Sequence, residues 1–150
     1  MVSQEPRLIE AQTALDDRGQ LTFSNSFDFK GIKRFYVVEN FSTRVIRAWH
    51  GHLKESKYVF IVSGSAIVAA VLLDDIKNPG KKNPVHRFVL SSKNPGLLYI
   101  PQGFANGFRF LEKGTKAIIF STSSLEESKG DDYRFPHDYW GDEVWTVKNR

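Results

Sequence analysis

Apolar and polar positions alternate in short runs along most of the chain, and glycine, proline, asparagine or aspartate separates the runs. Alternation with a period of two places every second side chain on one face of a β-strand. No stretch shows a convincing apolar repeat of 3.6 residues. The pattern therefore predicts an all-β sandwich or barrel. The predicted strands are residues 7–11, 21–27, 32–38, 44–52, 57–63, 66–73, 87–90, 97–100, 104–111, 116–121 and 143–147.

The turns between these strands have clear local signals. Gly19 is the expected site of a positive φ in the turn at residues 16–20, and residues 74–84 contain two Asn-Pro pairs typical of a loop. After residue 121 the pattern weakens. No linker divides the chain, so residues 1–150 are expected to form one domain.

Composition narrows the classes of protein to consider. The chain has no cysteine, which excludes disulfides, a thiol nucleophile and a cysteine-bound zinc. The net charge is +4, but the basic residues are spread along the chain, which argues against nucleic-acid binding and is compatible with a small anionic ligand. The N-terminal residues lack the apolar run of a signal peptide, and residues 66–73 are too few to span a bilayer. A cytoplasmic protein is expected.

The chemistry-bearing residues concentrate in one segment, where His50 and His52 flank Gly51 and Lys57 follows. On a strand, His50 and His52 share a face. Two neighbouring imidazoles indicate either half of a metal site or an acid–base site.

The order of motifs matches a cupin-type jelly roll, in which H-x-H near a strand end is followed by a glycine and then by P-x-G, here residues 101–103. Cupin metal sites take a third histidine after P-x-G, and Asn106 stands at that position. Lys57 adds a cation that would repel a metal. We therefore expect no metal and no cofactor. A metal-dependent cupin oxygenase stays an alternative that metal analysis of the purified protein would decide.

Over residues 16–147 the chain resembles the dTDP-sugar epimerases and isomerases, typified by dTDP-4-dehydrorhamnose 3,5-epimerase. The most specific match is residues 98–108 (LYIPQGFANGF), which resemble the family's L-x-I-P-x-G-F-A-H-G-F signature. Further matches are DRG at residues 17–19, NFS at 40–42, VIRAWH at 45–50, Lys57, and Asp138 placed seven residues before Trp145.

The resemblance implies a role for each matching residue. His50 would be the general base and Asp138 its partner. Arg18 and Arg47 would hold the diphosphate, because guanidinium groups suit phosphate oxygens. Lys57 would stabilise the enolate.

Two points qualify these roles. Strand parity places Arg47 opposite His50, so its role requires a bulge at residues 48–49. Asn106 and Phe108, within the signature run, are expected to contact the substrate.

The chain also departs from the epimerases. Their tyrosine acid is replaced by Leu125 and Glu126, and their thymine-contacting residues correspond to Leu21 and Phe23. A second branch, the 3,4-ketoisomerases, resembles the chain at other positions: RGQL at residues 18–21, IKRFY at 32–36, and HGH at 50–52. In that branch His52 would be a second working histidine.

These observations predict a homodimeric cupin enzyme that acts on a dTDP-linked 4-keto-6-deoxyhexose in deoxysugar or polysaccharide biosynthesis. The resemblance implies the homodimer, often with an exchanged N-terminal strand. Epimerisation at C3 is favoured by the extent of the match. A 3,4-ketoisomerase and a non-catalytic sugar-nucleotide-binding cupin stay open as alternatives.

Overall fold

Two antiparallel five-stranded sheets pack face to face in the computed structural model, which describes residues 4–150. The first sheet has the order β1-β9-β6-β11-β4 and the second β12-β5-β10-β7-β8, while β2 and β3 form a separate hairpin. The strands are β1 Arg7–Glu10, β2 Gln12–Asp16, β3 Gly19–Phe23, β4 Arg34–Glu39, β5 Ile46–His52, β6 Lys57–Ser63, β7 Ser65–Leu72, β8 Val85–Ser91, β9 Gly96–Ile100, β10 Phe104–Phe110, β11 Lys116–Ser121 and β12 Tyr133–Arg134. This architecture confirms the all-β jelly-roll sandwich.

The second sheet is covered on both faces, which explains the continuous apolar run of β7. Ala66, Val68 and Ala70 face the first sheet and belong to the inner core. Ile67 and Ala69 point outward into a second apolar cluster, which is built with the C-terminal segment. A strand buried on both faces needs apolar residues at successive positions rather than at alternate ones.

The second cluster is aromatic. Trp49 on β5 packs edge-on against Trp140, with 5.0 Å between ring centroids, and lies 4.9 Å from Trp145. The Nε1 atoms of Trp49 and Trp145 both donate to the His137 carbonyl oxygen, at 3.1 and 2.9 Å. The C-terminal segment is thereby attached to the outer face of β5.

Two short helices differ from the sequence-based expectation. The predicted last strand, residues 143–147, is wrong: Asp142–Trp145 form a 3₁₀ helix that buries the adjacent residues Val144 and Trp145 together. A strand would have pointed these two side chains to opposite faces. The helix α1, Leu125–Lys129, was not predicted, although Ser124 and Glu127 form a capping box that signals a helix start.

The N-terminal hairpin of β2 and β3 pairs only with itself. Its turn has Gly19 at φ +133°, in agreement with the predicted positive φ. The predicted strand 21–27 ends earlier, at Phe23, and its partner β2 was not predicted. Every residue of β2 is exposed, so this strand has no apolar face by which an alternating pattern would mark it.

Candidate active site

A pocket of about 220 Å³ opens between the two sheets at the end where β5 and β6 carry their charged residues. It is lined by side chains from both sheets, including β12, and from α1. The lining includes Arg34, Tyr36, Arg47, His50, His52, Lys57, Asn106, Phe108, Ser128, Asp132 and Arg134. The structure thus brings together every predicted site residue except Arg18 and Asp138.

Strand β5 carries both histidines on its inner face. His50 pairs with Asn106 and His52 with Phe104 across the sheet. The pairing then shifts by one residue, since Arg47 lies opposite Phe108. This register shift is the bulge at residues 48–49 that the position of Arg47 required, and it turns Arg47 to the same side as the histidines.

Gly107 is needed opposite this bulge. A Cβ atom at residue 107 would lie within 3.0 Å of the Ala48 main chain and closer still to the Ala48 side chain. Any larger residue would therefore push the bulge away from β10, and Arg47 and His50 with it.

His52 is the more rigidly held of the two histidines, and it is 4% exposed. Its Nδ1 atom lies 2.6 Å from the Asp131 carbonyl oxygen and 3.1 Å from Oε2 of Glu55. Because a carbonyl oxygen only accepts, Nδ1 must carry the hydrogen in the neutral ring. Its Nε2 atom is buried and has no hydrogen-bond partner among residues 4–150. That nitrogen presents a free lone pair in a pocket-lining side chain, which is the state that a general base requires.

His50 differs from His52 in its electrostatics. Burial lowers the pKa of His50 to about 4, and the nearby cations Lys57 and Arg134 contribute to this shift, while Asp132 acts in the opposite direction. His50 is therefore neutral at pH 7. The pKa of His52 is also lowered, first by burial and then by Lys57, but Glu55 and the hydrogen bond to Asp131 oppose the shift.

Lys57 and Tyr36 face the histidines from the first sheet. Lys57 is 8% exposed, and burial lowers the pKa of its ammonium group. Burial raises the pKa of Tyr36 to about 12, and the charge of Glu55 contributes to this shift. The Tyr36 hydroxyl is therefore protonated at pH 7 and can donate a hydrogen bond or a proton.

Glu55 is the main site residue that no sequence motif indicated, because it occurs in the short polar connection between β5 and β6. It is 2% exposed. The carboxylate accepts hydrogen bonds from Ser121 at 2.5 Å and Ser128 at 3.0 Å, and pairs with Arg34 at 3.3 Å. The residues that donate to Glu55 lie 21 to 73 positions away along the chain, so no local sequence pattern predicts these contacts.

Asp131 holds the same connection in place. Its carboxylate accepts from the backbone N–H groups of Leu53, Lys54 and Glu55, at 2.8, 2.8 and 3.2 Å. The segment after α1 thus fixes the loop that carries Glu55 and also supplies the carbonyl oxygen for His52.

The expected pairing of Asp138 with His50 has to be corrected. The Asp138 side chain is exposed and does not line the pocket. Its neighbour His137 contacts Trp49, whose side chain leaves β5 on the face opposite His50. The charge of Asp132, which lines the pocket, raises the pKa of His50 and so opposes the effect of burial.

Arg18 also lies away from the pocket of its own chain. It stands at the tip of the β2–β3 hairpin, where its side chain is 84% exposed and pairs with Asp16 at 2.5 Å. Leu21 and Phe23, at the positions where the epimerases contact thymine, belong to the same hairpin. Within one chain, the predicted diphosphate contact of Arg18 is not formed.

The remaining predicted residues lie in the pocket. Nε of Arg47 donates to Oδ1 of Asn40 at 2.7 Å. Asn106 is 7% exposed, and its amide donates to the His50 carbonyl at 3.2 Å. Phe108 stacks on Phe110 and contributes an apolar wall.

No group of three or more histidine, cysteine, aspartate or glutamate side chains suited to a metal ion occurs in the part of the chain that the structure describes. Nor does any helix between residues 4 and 150 have the length and apolar character to cross a membrane.

The jelly roll, with two histidines, a buried lysine and several arginines at its open end, defines a cupin. The family model described as dTDP-4-dehydrorhamnose 3,5-epimerase matches residues 4–135. The chain belongs to this family of dTDP-sugar epimerases and isomerases, as the sequence motifs indicated.

Individual relatives agree with the family assignment. The spore coat polysaccharide biosynthesis protein SpsL of Bacillus subtilis is 36% identical over 112 residues, which cover 71% of this chain and 70% of SpsL.

Two solved structures share the fold. The sugar 3,4-ketoisomerase QdtA of Thermoanaerobacterium thermosaccharolyticum, in complex with TDP, has a TM-score of 0.67 at 21% identity, and the match covers 96% of each chain. The dTDP-4-dehydrorhamnose 3,5-epimerase of Sulfolobus tokodaii has a TM-score of 0.73 at 22% identity, over 93% of this chain and 81% of its own.

Proposed function

We propose that the protein is a C3 epimerase of a dTDP-linked 4-keto-6-deoxyhexose. The observation that carries the proposal is the free, buried Nε2 of His52, a side chain that lines a pocket together with a buried lysine and a protonated tyrosine. The proton at C3 is acidified by the adjacent C4 ketone, so one imidazole base and one cation are sufficient to form the enolate.

In the proposed step, His52 Nε2 takes the C3 proton. The electrons of the C–H bond form a C3–C4 double bond, and the ketone oxygen becomes an enolate beside the Lys57 ammonium. The Tyr36 hydroxyl, which projects from the other sheet, then delivers a proton to the opposite face of C3. Exchange with water restores both groups, so the reaction is redox-neutral and introduces solvent hydrogen at C3.

This mechanism moves the role of base from His50 to His52. His52 has the orienting partners on its second nitrogen that a general base needs, whereas the partner expected for His50 lies on the other face of the sheet. His50, which is neutral and adjacent, would hydrogen-bond the hydroxyl groups of the sugar. Arg47 and Arg134 at the pocket would bind the diphosphate.

A 3,4-ketoisomerase is the second candidate, because His50 and His52 share one face of the pocket. His52 would return the proton to C4 on the same side, while His50 relays the O3 proton to O4. A histidine-to-asparagine mutant of QdtA has been solved in complex with TDP-4-keto-6-deoxyglucose, and we propose the same class of substrate for this chain.

The test is incubation with dTDP-4-keto-6-deoxyglucose in deuterium oxide, followed by NMR of the sugar ring. Deuterium at C3 with inverted configuration is the expected result. A product with its ketone at C3 would identify the ketoisomerase instead, with C4 carrying the hydrogen that His52 moved from C3. Binding with neither exchange nor a change of product would leave a sugar-nucleotide-binding protein and overturn both enzymatic proposals. The relative SpsL places a polysaccharide biosynthesis protein in the family, and we propose the same role for this chain.

We also propose a homodimer, supported by the outer face of the first sheet. Phe29, Phe35 and Val37 are each more than half exposed there. Exposed apolar patches of this kind mark interaction surfaces. The protruding β2–β3 hairpin would carry Arg18 into the pocket of the second copy.

Mixing two inactive variants tests this exchange. If Arg18 acts across the dimer, subunits with Arg18→Ala and subunits with His52→Gln form one intact site in each mixed dimer, and activity returns on mixing. If Arg18 acts within its own chain, mixing restores nothing. Size-exclusion chromatography with light scattering establishes the oligomeric state independently.

A further inference from the structure

Glu55 is a buried carboxylate whose position the family motifs do not explain. It lies in the connection between β5 and β6, three residues after His52, and its side chain is shielded from solvent. Burying a carboxylate is costly unless it is fully paired. In this chain Ser121, Ser128 and Arg34 supply the donors.

The contact of interest is the one to His52. The Nδ1–H of His52 donates to the Asp131 carbonyl oxygen, at 2.6 Å, and Oε2 of Glu55 lies 3.1 Å from the same nitrogen. The carbonyl fixes which nitrogen carries the hydrogen. The carboxylate adds a negative charge at the same end of the ring, where it stabilises the positive charge that appears when Nε2 accepts a proton.

The charges around His52 come from several elements. Lys57 on β6 lowers the pKa of His52, as burial does, while Glu55 and Asp131 raise it. His50 lies beside it on β5 and Arg34 approaches from β4. Glu55 is the carboxylate in hydrogen-bond range of the ring itself.

We propose that Glu55 is a positioning residue whose charge stabilises the imidazolium of His52 during proton transfer, while the Asp131 carbonyl keeps the hydrogen on Nδ1. The proposal rests on His52 acting as the base in the proposed function. The proton on Nδ1 stays on His52 throughout, and Glu55 contributes only its negative charge beside that nitrogen. Its link to Ser128 on α1 also makes the base depend on the docking of that helix.

The experiment compares Glu55→Gln with the wild type and with Glu126→Gln, a matched change on the exposed surface of α1. For Glu55→Gln we expect kcat to fall roughly 10- to 100-fold, by analogy with the loss seen when the partner behind a metal-bound histidine is removed, with little change in KM. The acidic limb of the pH–rate profile should move to lower pH, because the charge that raises the pKa of His52 is gone. Glu126→Gln should change neither. An unchanged rate and pH profile in Glu55→Gln would overturn the proposal.

Nitrogen-15 NMR of the histidine rings provides a second readout that needs no substrate. In the wild type, His52 should be protonated at Nδ1, and Glu55→Gln should lower its titration midpoint. A wild-type ring protonated at Nε2, or an unchanged midpoint in the variant, would contradict the role of Glu55. If the wild type shows the expected spectrum but no C3 exchange, the proposed function fails while the pairing of Glu55 with His52 stands.

Discussion

The two faces of β5 serve different purposes although they belong to the same seven residues. The inner face presents His50 and His52 to a polar pocket, and the outer face buries Trp49 against Trp140 and Trp145. The C-terminal chain contributes to both faces: its residues near Asp131 reach the histidines, and those near His137 contact the tryptophans. The side of the sheet, and not proximity along the chain, therefore decides which acid can assist which histidine.

The sharpest way to test the inner face is to replace its histidines one at a time. We expect His52→Gln to lower C3 exchange by about 10²- to 10⁴-fold, the usual contribution of a general base. His50→Gln should have a smaller effect, because His50 lacks a comparable partner. Deuterium uptake measured by NMR on the folded variants checks both. If His50→Gln were the more damaging change, His50 would be the base and our assignment of His52 would fail.

The outer face is tested by removing one indole. Trp145→Ala should lower the free energy of unfolding by about 3–5 kcal/mol, as expected for deleting a large buried aromatic side chain. Chemical denaturation followed by circular dichroism measures this loss. Activity of the folded fraction should change little, and Trp145→Phe provides a milder variant if the first does not fold. A large loss of kcat in a variant of normal stability would show that the two faces are coupled.

Acidification should lower the stability of the folded protein through His50 on the inner face. The pKa of His50 is about 4 in the folded protein against an ordinary value of 6.5, because burial disfavours its charged form. The unfolded chain therefore binds this proton first, and the contribution of His50 to stability is lost as pH falls from about 6.5 towards 4. Thermal unfolding across this window should show a shallower decline for His50→Gln than for the wild type. Parallel curves would mean that His50 is not held neutral.

The smallest effect is expected at Asp138. Because its side chain is exposed and lies on the tryptophan side of β5, Asp138→Asn should alter stability and the activation free energy by no more than about 0.5 kcal/mol. Asp132→Asn serves as the comparison, since Asp132 lines the pocket and raises the pKa of His50. If Asp138→Asn abolished C3 exchange, the division between the two faces would not hold.

Much of the fold was predictable because strand patterns are local. Nine of the eleven predicted strands overlap β1 and β4–β11. Of the other two, residues 21–27 overlap β3 in part, and residues 143–147 contain no strand. The shared face of His50 and His52 followed from strand parity alone. Even the bulge that turns Arg47 inward could be anticipated, since its role required one.

The candidate site was less accessible to sequence reasoning. No motif indicated Glu55 or Asp131, because the contact that buries Glu55 with Ser121 and the contact that joins Asp131 to His52 span 66 and 79 positions. The capping box of α1 could be recognised from Ser124 and Glu127. The hydrogen bond from Ser128 to Glu55 could not be predicted from the sequence.

Residue order within short segments was enough to specify the jelly roll, the family and the pair of histidines on one strand face. Long-range packing settled which histidine has a carboxylate behind it and on which side of the sheet Asp138 lies. Those outcomes depend on the path of the C-terminal chain around the edge of a sheet. That path is determined by the burial of the tryptophans. No apolar repeat in the sequence near Glu55 or Asp138 indicates it.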